Sequence, residues 1–347
     1  MAKVKYTTLV IFTNQLSAMI SANLPLGRIL ESLSTESLNK KLLLVIRKLK
    51  DSVESGVDLG DAVSMHPKVF DSIYVNMVKA GMETGSLDET LRHLSSYMEK
   101  TAETRSKVKA ALAYPIFMIF FLLFVVSAVI FYILPMFKEM YAQSGKALPL
   151  PTQILLNISN FVLNYYHIGL FFIAVFVCVV FYLLRTPWGR MTWDQYKMKI
   201  PLFGKLMKKS AISKFLRTFS TLIQSDVPIL DTLTLVSTSG DNKYLEFKIL
   251  HAKELITHGV SITDAFKETE FFPDTIIQMI YSGEETGELD KLLVSAANFY
   301  EDQVDEAIKT IVALVNPILT LLMGGVVGMI LIAIFLPIIG GFGQTPG

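Results

Sequence analysis

The amino-acid sequence predicts an all-α membrane protein with two homologous cytoplasmic helical bundles and three transmembrane helices. Three observations support this prediction. The 347 residues are 52% hydrophobic and only 18% charged, whereas a soluble domain carries about 25% charge. Three stretches of roughly 20 residues contain no charged side chain, and a helix of that length crosses a bilayer. Two long polar regions repeat one another at an almost constant spacing.

The overall composition narrows the classes of function. Lys and Arg number 32 and Asp and Glu number 31, which leaves a net charge of +1. This balance argues against a nucleic-acid-binding protein, which is usually strongly basic. The only cysteine is Cys178, so neither an intramolecular disulfide nor a cysteine-based metal site can form.

The uncharged stretches are predicted to form transmembrane helices. Their ranges are 113–135, 161–184 and 313–339. A helix rises about 1.5 Å per residue, so each stretch is long enough to cross the hydrocarbon core of a bilayer. Prolines stand near the ends of the first and third stretches and are expected to mark helix starts and ends: Pro115, Pro135, Pro317 and Pro337.

The distribution of basic residues predicts the orientation in the membrane. The regions 1–112 and 185–312 contain 15 Lys and Arg each, whereas the segment 136–160 contains two and the tail 340–347 contains none. Basic residues are enriched in cytoplasmic segments of membrane proteins. The two large regions are therefore expected in the cytoplasm, and the short loop and the C-terminal tail outside it.

The two polar regions are copies of one unit. The pattern from Phe12 to Pro25 recurs from Phe215 to Pro228, 203 residues later. After a slip of one residue, the pattern from Met77 to Asp88 recurs 202 residues later. The first and third predicted spans follow the two copies, so the second span is a connector that returns the chain to the same side.

Each copy is predicted to be a small antiparallel helical bundle. Phe12, Leu16 and Ile20 fall on one face of a helix. Pro25 and Pro228 interrupt this pattern and are suited to begin a second helix. No segment shows the apolar–polar alternation typical of strands. The last helix of each copy is expected to continue into the bilayer.

The most distinctive motif is Gly-x-Glu-Thr-Gly-x-Leu-Asp, which occurs once in each copy. Its candidate positions are Gly81, Glu83, Gly85, Leu87, Gly283, Glu285, Gly287 and Leu289. The glycines are interpreted as structural, because a tight helix–turn–helix needs a left-handed residue at the helix end and room for close packing. For the two glutamates, a structural role and a partner-contact role are equally favoured.

Two further features have both a functional and a structural interpretation. The acidic group Glu301, Asp302, Asp305 and Glu306 could bind a hard cation such as Ca²⁺, but a solvated helix face is favoured. Gly324 and Gly328 are spaced for close helix contact within the third span. Packing within the chain is favoured there over contact between subunits.

No catalytic, cofactor-binding or metal-binding residues are predicted. The chain contains neither a phosphate-binding loop nor a dinucleotide-binding glycine motif. None of the five histidines has a zinc-site context. No nucleophile, base and acid can be assigned together, so the chain is not expected to be an enzyme.

The doubled motif, the two helical regions and the three spans together resemble the GspF/PilC family, the inner-membrane platform proteins of type II secretion systems and type IV pili. The resemblance extends from about Tyr6 to Pro337. Many members begin with an additional N-terminal segment. Here the first bundle begins almost at once, which resembles the shorter platform proteins of type IVb-like pili.

The resemblance implies a multi-pass protein of the bacterial inner membrane that performs no catalysis itself. It implies that a hexameric cytoplasmic assembly ATPase drives this platform to add pilin or pseudopilin subunits to a fibre. Other implied partners are bitopic inner-membrane assembly proteins, further copies of the chain and membrane lipid, but no nucleic acid. The alternative is a membrane transport protein, although the spans contain no charged residue of the kind that lines an ion path.

Overall fold

The computed structural model describes residues 4–36, 39–136, 185–201, 203–240 and 242–342, together with isolated positions between 139 and 181. The regular structure of these residues is entirely helical, which confirms the predicted all-α class. The expected external loop 136–160, second span 161–184 and tail 340–347 lie largely outside the described residues.

The first copy consists of a series of short helices followed by one long helix. These are α1 (Tyr6–Ser21), α2 (Leu26–Glu36), α3 (Lys40–Glu54), α4 (Leu59–Ser64), α5 (Ser72–Glu83) and α6 (Leu87–Ala128). A π-helical turn at Val129–Ile133 follows α6 directly.

The second copy has the same order of helices, preceded by a connector helix. The connector is α7 (Pro187–Lys197). The helices of the copy are α8 (Phe203–Gln224), α9 (Ile229–Ser239), α10 (Lys243–Thr257), α11 (Ile262–Glu268), α12 (Asp274–Thr286) and α13 (Leu289–Phe342).

The helix bounds confirm the repeat that the sequence predicts. Helices α2 and α9 begin and end 203 residues apart, as do α3 and α10, and α6 and α13 begin 202 residues apart. The backbone repeats in detail as well. Asn23 and Asp226 both have a φ of 57°, and Gly56 and Gly259 have φ values of 87° and 88°.

The one-residue slip lies in the loop before α5 and α12. Ala62 and Ala265 are 203 residues apart, but Phe70 and Phe272 are 202 apart, so this loop is one residue shorter in the second copy. The shorter loop passes through Glu270 with a φ of 53°. An L-residue adopts this left-handed conformation at a cost of about 1–2 kcal/mol.

Both copies bury an aromatic pair that joins the first helix of the copy to the loop before its last short helix. This loop precedes α5 in the first copy and α12 in the second. The rings of Phe12 and Phe70 are 6.3 Å apart, and those of the equivalent Phe215 and Phe272 are 4.9 Å apart. The second copy adds Phe266, whose ring lies 5.6 Å from Phe215. Apolar burial of this kind is the main source of stability in a helical bundle.

The two bundles form one compact unit, which comprises Met1–Lys107 and Arg190–Ala307. Helix α5 of the first copy packs against α9 of the second. In the buried contact between the copies, the hydroxyl of Thr218 donates to the hydroxyl of Tyr97 at 3.4 Å. Lys107 and Asp305 form an ion pair between the long helices at 2.5 Å.

The long helices continue through prolines that were expected to mark helix starts and ends. Pro115 lies inside α6, and Pro317 and Pro337 lie inside α13, so that expectation is wrong. A proline inside a helix costs about 3 kcal/mol. Ending the helix in apolar surroundings would leave up to about four carbonyl groups without partners, which costs more.

Two helices in the described part of the chain are long and apolar enough to cross a membrane. They are Leu87–Met136 and Leu289–Ile332; the first includes the whole of the first predicted span, and the second includes residues 313–332 of the third. The second predicted span is not covered, so three transmembrane helices stay a prediction.

Candidate functional site

The doubled motif forms the turn between the last short helix and the long helix of each copy. Gly85 ends the turn after α5 and Gly287 the turn after α12, with φ values of +72° and +73°. Both have the left-handed conformation that the motif predicts, and glycine adopts it without a steric penalty.

The other glycine of each motif lets the two helices approach closely. A Cβ atom on Gly81 would lie 2.8 Å from the Cβ of the buried Thr90. A Cβ atom on Gly283 would lie 2.8 Å from the Cα of Leu289, the first residue of α13. Any larger residue at these two positions would push the helices apart.

The motif glutamates point to the surface. Glu83 and Glu285 are both exposed. Near Glu83, the ammonium group of Lys79 pairs with Asp61 at 2.7 Å. The hydrogen bond to Asp61 is the main cause that raises the pKa of Lys79, and Glu83 adds a smaller electrostatic contribution. The two carboxylates are thus placed where another protein could contact them.

The residue before Glu285 has a structural role that the sequence analysis missed. The carboxylate of Glu284 accepts hydrogen bonds from the backbone N–H of Ile262 at 2.7 Å and of Thr263 at 2.9 Å. The hydroxyl of Thr263 donates to it at 2.6 Å. Burial raises the pKa of Glu284, but these hydrogen bonds outweigh burial and leave the pKa below its ordinary value.

Glu284 therefore caps the first turn of α11, where free N–H groups and the helix dipole favour a negative charge. The signal for this role was weak, because the equivalent residue in the first copy is Met82. In that copy the side chain of Asp58 caps α4 by accepting from the N–H of Gly60 at 2.7 Å. The equivalent Ser261 caps α11, so Glu284 is an additional cap of the second copy.

The acidic helix face is partly engaged in ion pairs. Arg217 on α8 donates to both carboxylate oxygens of Glu301 at 2.6 and 2.7 Å. The equivalent residues of the first copy, Asn14 and Glu99, are also hydrogen-bonded. Asp305 pairs with Lys107. In the part of the chain that the structure describes, no three acidic, histidine or cysteine side chains come together as a metal site.

The glycine pair of the third predicted span lies on α13. A Cβ atom on Gly324 or Gly328 would meet no other atom within 4 Å among the described residues. This local space would suit a neighbouring helix, and the identity of that helix stays a prediction.

A cavity of about 370 Å³ lies inside the first bundle. Its polar lining includes Tyr6, Asp71, Tyr74, Tyr97 and Arg105. Burial is the main cause that raises the pKa of all three phenols, so they are protonated at neutral pH. The second copy replaces these residues with Lys209, Pro273, Ile276, Phe299 and Ala307.

Comparison with known proteins supports the same duplicated organisation. Residues 12–135 and 215–337 both match the family described as type II secretion system protein F. The chain is 38% identical over 331 residues to a type IV pilus assembly protein PilC of Myxococcus xanthus, covering 95% of this chain and 79% of that protein.

Two further relatives are a pilus assembly protein and a secretion system protein. A type IV pilus assembly protein PilC of Thermus thermophilus is 34% identical over 335 residues, which cover 95% of this chain and 81% of that protein. A type II secretion system protein F of Vibrio cholerae is 30% identical over 332 residues, which cover 95% of this chain and 82% of that protein.

Proposed function

Since the chain belongs to the type II secretion system protein F family, we propose that it is the inner-membrane platform of a type IV pilus or type II secretion machine. In this role it couples a cytoplasmic assembly ATPase to the insertion of pilin or pseudopilin subunits into a growing fibre. The observation that supports this proposal is the doubled unit, in which a helical bundle is followed by a long apolar helix.

The proposed topology puts both bundles in the cytoplasm. The bundles 1–112 and 185–312 are joined to spans 113–135, 161–184 and 313–339, with the loop 136–160 and the tail 340–347 outside. The excess of basic residues in the bundles supports this orientation. The uninterrupted course of α6 and α13 supports helices that leave the bundle and enter the bilayer.

Glu83 and Glu285 are the proposed contact residues for the ATPase. Their exposure supports this assignment, as does the rigid turn that presents each one. The duplication presents the two carboxylates at equivalent positions of the two bundles, so one kind of basic surface on the partner could bind both. The glycines and leucines of the motif shape the turns.

The platform performs mechanical coupling without catalysis of its own. The names of the relatives describe assembly and secretion components. We assign bitopic assembly proteins and further copies of the chain as additional partners. Gly324 and Gly328 provide a surface on which another transmembrane helix, first of all another span of this chain, could pack closely.

A co-purification experiment tests the coupling. The full chain in detergent should retain the assembly ATPase of the same organism, and the double variant Glu83→Ala with Glu285→Ala should retain several-fold less. The control is Glu31→Ala with Glu254→Ala, which removes two exposed glutamates from other helices. Equal retention by both variants, with normal fibres, would exclude Glu83 and Glu285 from the interface.

Cysteine labelling in cells tests the topology. In a Cys178→Ala background, cysteines at Ser55 and Ser282 should resist a membrane-impermeant maleimide, and a cysteine at Ser144 should react. Labelling at Ser55 or Ser282 would contradict the proposed orientation. Loss of the gene should abolish fibres or secretion, and intact fibres and secretion would reject the platform role.

A further inference from the structure

The segment that follows the second predicted span is rich in basic residues. It consists of α7 and the start of α8. Between residues 185 and 208, six basic residues stand against one acidic residue, Asp194. We propose that this segment is a lipid-binding surface that holds the second bundle against the anionic phospholipids of the cytoplasmic leaflet.

The structure makes α7 a helix of its own. The hydroxyl of Thr186 accepts a hydrogen bond from the N–H of Gly189 at 3.2 Å, and Pro187 occupies the first helical position. A threonine cap followed by proline is a strong helix-start signal. The residues after the predicted span therefore begin a new helix, which chain connectivity keeps close to the headgroups.

One buried residue fixes which side of α7 faces the protein. Asp194 is only 3% exposed. Its carboxylate accepts a hydrogen bond from the backbone N–H of Lys243, the first residue of α10, at 2.7 Å. The ammonium group of Lys197 donates to its other oxygen at 2.5 Å. This anchoring of α7 to the bundle leaves the opposite side of the helix open.

The open side carries the residue types that prefer a membrane interface. Trp193 is 51% exposed and Tyr196, one helical turn later, is 61% exposed. Ile200 and Phe203 continue the exposed apolar surface through the turn into α8. Tryptophan and tyrosine are enriched at the headgroup level because their rings are both apolar and polar.

Basic side chains surround this apolar surface. Arg190, Lys199 and Lys205 are exposed, and the ammonium group of Lys199 lies 5.5 Å from the centre of the Tyr196 ring. The only acidic residue of the segment is already neutralised by Lys197. A surface that combines aromatic rings with exposed cations complements anionic phospholipid, whereas an apolar protein partner would not need the charges.

The turn that carries the surface is held tightly. A Cβ atom on Gly204 would lie 2.2 Å from the carbonyl oxygen of Met198, so α7 and α8 meet at a contact that only glycine allows. The N–H of Gly204 donates to the carbonyl of Ile200 at 2.8 Å. Because the surface is preformed, little conformational entropy is lost when it meets the bilayer.

Tryptophan fluorescence of the full chain in vesicles tests the proposal. The variant Trp188→Phe leaves Trp193 as the only tryptophan. In vesicles of phosphatidylcholine with phosphatidylglycerol, bromine-labelled phosphatidylcholine should quench Trp193 strongly and acrylamide should not. In a control chain, both tryptophans are replaced by phenylalanine and the exposed Tyr281 by tryptophan, and the reverse pattern is expected.

The charge requirement is tested with matched lysine variants. Lys199→Gln with Lys205→Gln should lower the affinity of this surface for the anionic lipid by roughly fivefold for each lysine removed. The loss is measured as weaker quenching of Trp193. Lys267→Gln with Lys291→Gln, which removes two exposed lysines elsewhere in the bundle, should leave the quenching unchanged. Phosphatidylcholine vesicles without the anionic lipid should also weaken the quenching.

Two results would overturn the proposal. Access of acrylamide to Trp193 in the anionic vesicles would show that the surface stays in water. Protection from acrylamide without quenching by brominated lipid would show that protein covers it, such as a second copy of the chain. The proposal depends on the proposed membrane topology, but both leaflets of these vesicles have the same composition. A wrong orientation would therefore appear only in the cysteine labelling and not in the quenching.

Discussion

The two glycines of each turn are required for different reasons, and the structure allows these reasons to be separated. Gly287 needs a left-handed backbone, whereas Gly283 needs space beside Leu289. Both requirements were visible in the sequence because the spacing of the motif recurs in the two copies. The hydrogen bonds of the adjacent Glu284 were not visible, because they depend on a residue 21 positions away in α11.

Substitution of these glycines should destabilise the bundle to different degrees. Gly287→Ala should cost about 1–2 kcal/mol of unfolding free energy through backbone strain. Gly283→Ala should cost about 1–3 kcal/mol through overpacking. Gly27→Ala is the control, because its Cβ meets no atom within 4 Å in α2. Thermal unfolding in detergent measures all three, and an equal loss for Gly27→Ala would contradict the argument.

Glu284 should make the stability of the second bundle depend on pH. The folded-state pKa lies below the ordinary value of 4.5. The stabilisation is therefore complete above that ordinary value and is lost as the pH falls through the folded-state pKa. Glu284→Gln should cost about 1–2 kcal/mol at neutral pH and less in acid.

The neighbouring residue provides the control for this pH experiment. Glu285→Gln changes an exposed carboxylate in the same turn, so its unfolding curves should follow those of the wild type at every pH. Denaturant unfolding at neutral and acidic pH measures both variants. If Glu284→Gln and Glu285→Gln behaved alike, the capping role of Glu284 would be disproved.

At the scale of single elements, the loop between α11 and α12 shows how the second copy accommodates its missing residue. Glu270 takes a left-handed conformation there, and the equivalent loop of the first copy, between α4 and α5, has one more residue. The sequence predicted the position of the slip from the change in spacing. It did not predict the strained residue, because that depends on how the shorter chain closes between two packed helices.

Relief of this strain should stabilise the protein. Glu270→Gly should raise the unfolding free energy by up to about 1 kcal/mol, because glycine adopts a positive φ readily. Glu270→Ala removes the same side chain but keeps the strain, so it should give no such gain. Melting temperatures of the two variants distinguish the explanations, and a larger gain for alanine would point to the side chain instead.

The long helices illustrate a limit of local sequence signals. The prolines predicted helix starts or ends at Pro115, Pro317 and Pro337, yet α6 and α13 continue through these positions. The local preference was overridden because apolar surroundings penalise every backbone group without a partner. By contrast, Pro25 and Pro228 do precede new helices, since those turns lie in the polar bundles where water and side chains satisfy the free groups.

At the scale of the whole molecule, an ion pair between the two copies is more exposed than an ion pair within one copy. The pair between Lys107 and Asp305 links the copies, but the Lys107 side chain is 44% exposed. The pair between Arg217 and Glu301 holds α8 to α13 within one copy, with side chains only 13% and 19% exposed. Burial and bidentate geometry favour the second pair.

Removal of each pair should reveal this difference. Lys107→Met should cost less than about 1 kcal/mol, as is usual for an exposed ion pair. Arg217→Met should cost about 2–3 kcal/mol, because it leaves Glu301 partly buried without its partner. Unfolding in detergent measures both variants. Similar losses would mean that the junction between the copies is as strongly bound as the interior of one copy.

The duplicated architecture was predictable because repeat spacing and uncharged stretches are properties of the whole sequence. Family membership was predictable for the same reason and is confirmed by both matched ranges. The helix faces that would contact an ATPase or a pilin were not predictable from the sequence. Both motifs carry a glutamate, and only the fold determines whether that glutamate is exposed. Those contacts, and the second span, stay predictions.

The unequal loops before α5 and α12 also mark a permissive site for protein engineering. Two copies of one architecture accept different chain lengths there while the flanking helices begin at equivalent positions. An epitope or a small fluorescent reporter could be inserted beside Glu270, because the two copies already differ in the length of this loop. Such an insertion would allow the protein to be located in living cells without a fusion at either terminus.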